Sequence, residues 1–177
     1  NCPEIEKMVV SADLAADAAH IVSMLTLPQK GLVGIVCRND YKTIVHYVAA
    51  LQAGHAVMLL NDGIEADVLA QIVDRYAPAF LLGAVSHDAY DEITEQFWKK
   101  RVLPTYDVHP QLALLLSTSG TTGSPKYVRL SYQNIQANAE SIVDYLQITD
   151  EDRPVINLPL SYSYGISIVN SHLQVGA

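Results

Sequence analysis

LVGIVCRNDYKTIVHYVAALQAGHAVMLLN, residues 32–61, is the stretch whose reading decides the fold. Leu32 to Cys37 is an almost unbroken apolar run, short enough for a strand and covered on both faces, as strands of parallel sheets are. Arg38-Asn39-Asp40 turns the chain into a helix whose Ile44, Val48 and Leu51 point inward, and Gly54 is its stop. Ala56 to Leu60 repeats the apolar strand and Asn61-Asp62-Gly63 repeats the turn. A further helix follows, with Val68, Leu69, Ile72 and Val73 on its buried side; Pro78 ends it, and Ala79 to Leu82 is a third strand. Strand, helix, strand, helix, strand with short turns is the pattern of a doubly wound α/β domain with a mostly parallel sheet flanked by helices.

Outward from that unit, Ser11 caps an amphipathic helix with Leu14, Ala18, Ile21 and Leu25 along one face, closed by Pro28 and Gly31. The segment 84–110 carries weaker signals. A helix is expected over Asp88 to Trp98, and Lys99-Lys100-Arg101 reads as a solvated surface run. Leu112 to Leu116 is another buried strand, and Tyr127 to Leu130 a strand leading to Ser131, a helix N-cap. Ile135, Ala139, Ile142, Val143 and Leu146 form the face of the next helix. Val155 to Leu158 is expected as a strand, and Pro159 to Gly165 as a Tyr/Ser-rich connection. No internal repeat or low-complexity segment is present.

The 177 residues suit one domain or large subdomain, burying about 70% of the unfolded surface. Half are apolar and the net charge is −8, which speaks for a packed body and against nucleic-acid backbones or anionic membranes as partners. Neither Cys2 and Cys37 nor the histidines at 20, 46, 55, 87, 109 and 172 have the spacing of a disulfide framework or metal site. Cys37 reads as a small buried apolar residue, and Lys30 and Lys42 as surface charges. No apolar run approaches a membrane span, and no signal peptide is visible, so the cytoplasm is the default compartment.

The chemistry concentrates between the strands at 112–116 and 127–130. Ser117, Thr118, Ser119, Gly120, Thr121, Thr122, Gly123, Ser124, Pro125 and Lys126 crowd five hydroxyls before Ser124, two glycines and one cation into a stretch without a carboxylate. Glycines open backbone angles that aim consecutive amides at one guest, and such a nest beside a lysine suits polyphosphate oxygens. A flexible Ser/Thr/Gly connector is the bland alternative on composition alone. The common NTPase loop, G-x-x-x-x-G-K-[ST] running into a helix, does not fit: Gly120 and Gly123 are too close, and a strand follows Lys126.

Ser-Thr-Ser-Gly-Thr-Thr-Gly-Ser-Pro-Lys at 117–126 resembles the phosphate-loop signature of the adenylate-forming enzymes: acyl- and aryl-CoA synthetases, adenylation domains of peptide synthetases, and luciferases. Val33 to Asp40, Ala49 to Asn61 and Leu130 to Ile135 are similar to further segments of that family, with Ser131 and Tyr132 as departures. Leu158 to Gly165 resembles its aromatic acyl-pocket motif. The resemblance implies a two-step reaction, in which a carboxylic acid attacks ATP to give an acyl-adenylate and pyrophosphate, and a thiol of coenzyme A or a carrier-protein pantetheine then takes the acyl group. It assigns Ser117, Thr118, Ser119, Gly120, Thr121, Thr122, Gly123 and Lys126 to the ATP phosphates, and Tyr162, Tyr164 and Gly165 to the acyl-pocket gate. At the gate many members carry histidine near Tyr162 and this chain does not. The family's magnesium-binding glutamate, ribose-binding aspartate and catalytic lysine are expected downstream of this chain. Residues 1–177 are therefore expected to be part of the large N-terminal domain, with a first β-α-β-α-β unit over 1–110, the phosphate loop and start of the acyl pocket over 111–177, and no catalysis alone. A non-catalytic nucleotide- or acyl-binding module that kept the loop is the alternative.

Overall fold

A computed structural model describes residues 11–83, 86–117 and 126–177. Helix α1 (Ser11–Met24) precedes β1 (Leu32–Cys37), α2 (Tyr41–Gln52), β2 (Ala56–Asn61), α3 (Ala66–Tyr76) and β3 (Phe80–Leu82). Then come β4 (Tyr90–Thr94), β5 (Phe97–Lys100), β6 (Leu112–Ser117), β7 (Tyr127–Ser131), α4 (Tyr132–Leu146) and α5 (Ser163–Val175). The strands form one sheet in the order β4-β5-β3-β1-β2-β6-β7. Its centre, β3-β1-β2-β6, is parallel, and antiparallel strands close both edges.

Alternation along the central strands builds two cores. Val33, Ile35, Val57, Leu59, Leu114 and Leu116 face one side, where residues of α1, α2, α4 and α5 join them. Leu32, Met58, Leu60 and Leu115 face the other, under α3. Helices on both faces make the sheet doubly wound. Each fully buried leucine contributes about 1.5–3 kcal/mol, which is why these runs tolerate no polar residue. Gly34 has a packing reason: a Cβ there would lie 2.8 Å from Leu81 Cδ2 and 3.4 Å from Pro78 Cγ.

Local chemistry sets the element ends. Asp40 caps α2 by accepting from the Thr43 amide at 2.8 Å, and Gly54 follows the helix at φ +80°. Asn61 accepts from the Gly63 amide, turning the chain after β2. Helix α3 ends on Ala77 in the left-handed region, directly before Pro78. Ser131 and Asn134 form a reciprocal capping box at α4, the Ser131 hydroxyl accepting from the Asn134 amide and the Asn134 side chain from the Ser131 amide.

Four expectations are corrected. Residues 88–98 hold no helix: β4 and β5 form a hairpin around Gln96 at φ +60°, with Tyr90 and Phe97 buried and the Tyr90 hydroxyl donating to the Pro78 carbonyl at 2.6 Å. Residues 155–158 form no strand, and Val155 is 79% exposed. On α4 the expected face is covered at Ile135, Ala139, Ile142 and Val143, but Leu146 at its end stands exposed. Lys30 is more than a surface charge. Its ammonium donates to the Pro110 carbonyl at 2.8 Å and the Tyr132 hydroxyl at 3.1 Å, and lies over the Tyr132 ring.

The basic run at 99–101 lies along the hairpin. Lys99 sits over Phe80, Lys100 over Tyr90, and Arg101 pairs with Asp91 at 2.7 Å, a pair too exposed to add much stability. Cys37 is buried, which pushes its thiol up to about 12. His55 is buried and satisfied: Nδ1 accepts from the Gly31 amide at 3.1 Å, leaving Nε2 to donate to the Leu25 carbonyl at 2.7 Å.

His46 is buried on α2, and its pKa falls to about 4 because burial disfavours the imidazolium, with Lys42 one turn away adding repulsion. Below the ordinary histidine pKa the unfolded chain takes up a proton that the folded chain refuses until about pH 4, so stability falls as pH drops through that window. By pH 5 the loss attributable to His46 is about 2 kcal/mol. Urea unfolding of His46→Gln should show a correspondingly smaller difference between pH 7 and pH 5; an unchanged difference would place the titration elsewhere.

Candidate functional site

The four parallel strands all end on one edge, at Cys37, Asn61, Leu82 and Ser117. Ligands of open α/β sheets bind outside such carboxyl ends. Ser117 pairs across the sheet with Tyr127, so residues 118–126 leave and return at neighbouring positions on this edge. Of the residues assigned to the phosphate loop, Ser117 and Lys126 are described: Ser117 is half-buried at the last position of β6, and Lys126 is exposed just before β7. Thr118, Ser119, Gly120, Thr121, Thr122 and Gly123 lie outside the described residues.

The gate segment reaches the same edge through one side chain. Asn39, in the turn after β1, donates from Nδ2 to the Leu158 carbonyl at 3.1 Å and accepts at Oδ1 from the Leu160 amide at 3.1 Å. This two-way bond holds residues 156–160 against the end of β1 without a strand ladder. Leu160 and Ile166 then enter the same core as Leu116, and Leu116 and Ser163 line one cavity of about 230 Å³. The structure therefore brings the end of β6 and the segment 158–163 together.

Tyr162 and Tyr164 flank the start of α5, 42% and 63% exposed. Neither is packed away. Gly165 is buried in the first turn, at ordinary helical angles, and is needed for close approach: an added Cβ would overlap the Pro159 carbonyl oxygen and lie 3.0 Å from the Leu158 oxygen.

Two residues here were not singled out as site candidates from sequence. Asn39 was noted only within a turn; its side chain spans more than a hundred residues of chain, which no local pattern displays. Ser161 is 1% exposed, and its hydroxyl finds no partner among the described residues. A serine in a run rich in Ser and Tyr gives no signal of that. Among the described residues no three His, Cys, Asp or Glu side chains converge as a metal site. No described helix is long and apolar enough to cross a membrane.

Fold and edge thus define a doubly wound α/β protein with a Ser/Thr/Gly/Lys loop segment at the carboxyl ends of its strands. The chain belongs to the family described as AMP-binding enzyme, whose model matches residues 11–177. It is 25% identical to the D-alanine–D-alanyl carrier protein ligase of Streptococcus pneumoniae over 89% of this chain and 33% of that protein. It is 26% identical to the 2-succinylbenzoate–CoA ligase of Listeria monocytogenes over 78% of this chain and 31% of that protein. The chain thus spans about a third of the length of these relatives. Among solved structures, a malonyl-CoA ligase with methylmalonyl-CoA and AMP bound superposes with a TM-score of 0.76 at 27% identity, covering 98% of this chain and 38% of that one. The o-succinylbenzoate CoA synthetase of Bacillus subtilis with its acyl-adenylate intermediate superposes at 0.77 with 24% identity, covering 97% and 49%, a likeness of fold.

Two substitutions test this geometry. Gly165→Ala must push residues 158–160 away from α5, and should cost about 1–3 kcal/mol in urea unfolding. Ser161→Ala removes an unsatisfied buried hydroxyl and should raise stability by about 1 kcal/mol; a loss instead would reveal a bonded partner.

Proposed function

We propose that the polypeptide is an ATP-dependent ligase that activates a carboxylic acid as its acyl-adenylate and then transfers the acyl group to a thiol. The observation that carries this reading is the meeting, at one carboxyl edge of the sheet, of the phosphate-loop root at Ser117 and Lys126 with the Asn39-bound gate segment. In this reading residues 1–177 form part of the large N-terminal domain, with a first winding unit over 1–110 and the loop and gate over 111–177. The rest of the polypeptide supplies the remaining groups.

Residues Ser117, Thr118, Ser119, Gly120, Thr121, Thr122, Gly123 and Lys126 hold the β- and γ-phosphates. As an acid oxygen bonds to the α-phosphorus and the bond to the β-phosphate oxygen breaks, negative charge grows on the departing pyrophosphate. Hydroxyls and amides of that stretch and the Lys126 ammonium are the kinds of group that stabilise such charge electrostatically. Tyr162 and Tyr164, with exposed rings at the start of α5, orient the acid, and Gly165 lets their turn close against Pro159. The groups assigned to the phosphates, one cation and five hydroxyls without a carboxylate, fit Mg-ATP in sign, whereas a carboxylate for Mg²⁺ is assigned to the rest of the polypeptide. The thiol is that of coenzyme A or a carrier-protein pantetheine, and the compartment is the cytoplasm, where ATP and such thiols meet.

The test is carboxylate-dependent ATP–pyrophosphate exchange on the full-length polypeptide, with Mg-ATP affinity by calorimetry. Lys126→Ala should weaken Mg-ATP by about 1.5–3 kcal/mol, the range for hydrogen bonds to charged groups. Unchanged affinity would remove Lys126 from the phosphates. Mg-ATP binding without exchange for any acid would replace the ligase with a non-catalytic nucleotide-binding module.

A further inference from the structure

On the α3 side of the sheet a groove of about 700 Å³ lies between α3, β6 and the edge strand β7. Its volume is in the range of small-molecule sites. Leu115 lies on its floor and three tyrosines, Tyr76, Tyr106 and Tyr127, on its walls. The walls are braced. Tyr76 and Tyr127 meet edge to face with centroids 5.2 Å apart. The Tyr106 O–H shares its one proton between the carbonyls of Tyr76 and Ala77, at 2.8 and 3.0 Å, which fixes its ring against the end of α3.

Two guanidiniums line the same groove. Arg75 lies over the Tyr76 ring at 5.9 Å, and Arg129 is carried by β7 two residues beyond Tyr127, on the same face of the strand. Asp107 is the one carboxylate among the lining residues, so the formal balance is two cations against one anion. Arg129 alone offers one guanidinium fork from β7, which suits a single negative charge rather than a polyphosphate. A guanidinium fork pairs with the two oxygens of a carboxylate, and phenol rings offer faces and edges to a flat apolar body.

We propose that this groove is a second small-molecule site, distinct from the phosphate edge, and that it takes a planar aromatic monoanion of the arene-carboxylate class. Leu115 points to the opposite side of β6 from Leu114 and Leu116, so a ligand on Leu115 lies across the sheet from the cavity at Ser163, and the two spaces approach each other only around the β7 edge at Leu130 and Asn134. The site does not depend on the ligase reading, because none of its walls is a gate residue.

The probe is 2-naphthoate, with 2-naphthamide as its uncharged counterpart, titrated into the full-length polypeptide by calorimetry, with location read by hydrogen–deuterium exchange. Naphthoate should bind at least tenfold more tightly than the amide and protect residues 106–112 and 127–131. Arg129→Gln, an exposed change that leaves the fold intact, should weaken it about tenfold, and Tyr164→Ala should leave it unchanged. Binding that survives Arg129→Gln, or disappears with Tyr164→Ala, overturns the proposal and moves the ligand to another site. Equal binding of acid and amide reduces the groove to a nonspecific apolar surface. No change in exchange at 106–112 and 127–131 on adding the probe means that the groove does not take it, and that too overturns the proposal.

Discussion

Parallel pairing of β1, β2, β3 and β6 is the constraint on which the rest of the structure depends. A parallel ladder cannot be closed by hairpins, so each connection must cross a face of the sheet, and the crossing segments cover it. Coverage on both sides forces the apolar runs at 32–37, 56–60 and 112–116, in which successive side chains enter opposite cores. The same pairing collects all four carboxyl ends on one edge. The location of the candidate site is therefore a consequence of topology before any functional group is considered.

Holding a second segment at that edge is a separate problem, solved by few atoms. The Asn39 side chain mimics one residue of a strand, donating to one backbone carbonyl and accepting from a nearby backbone amide. Gly165 lets α5 begin in contact with the backbone that Asn39 holds. Tyr47 donates to Asn170 at 3.0 Å, joining α5 to α2 farther along. The segment 158–165 is thus fixed at its backbone and its helix, while the rings of Tyr162 and Tyr164 keep solvent exposure. A rigid frame carrying accessible side chains is what the proposed positioning of an acid would need.

Legibility followed burial. The central strands were readable because both faces are buried and every position is apolar. The turns at Asp40, Asn61, Pro78 and Ser131 were readable because their side chains act on backbone within three residues. The β4–β5 hairpin was not: one face is solvated, Ile93 is half-exposed, and its turn places Gln96 at positive φ with no Gly or Asn to announce it. The expected strand at 155–158 failed for a different reason. Its backbone groups are held by Asn39, far away in sequence, so local β-propensity had no ladder to join. Lys30 looked like an ordinary surface cation because its partners, Pro110 and Tyr132, are likewise distant. At the site, the strand ends were legible, whereas the Ser161 hydroxyl, without a partner among the described residues, is buried only by the fold.

The charge of the chain sharpens what its cationic groups can do. With a net charge of −8, long-range attraction for anions is absent, and at physiological salt any field fades over about 8 Å. Anion recognition must then come from short-range contacts with fixed geometry. Lys126 stands at the end of a hydroxyl- and glycine-rich stretch without carboxylates, suited to a group of high charge density. Arg75 and Arg129 stand among aromatic rings with Asp107 in the same lining, the setting on which the proposed preference for a flat body with one charge rests. The two places lie on different boundaries of the same sheet, one on its carboxyl edge and one on its α3 face. Their chemical difference follows from what surrounds each cation, since the net charge is common to both.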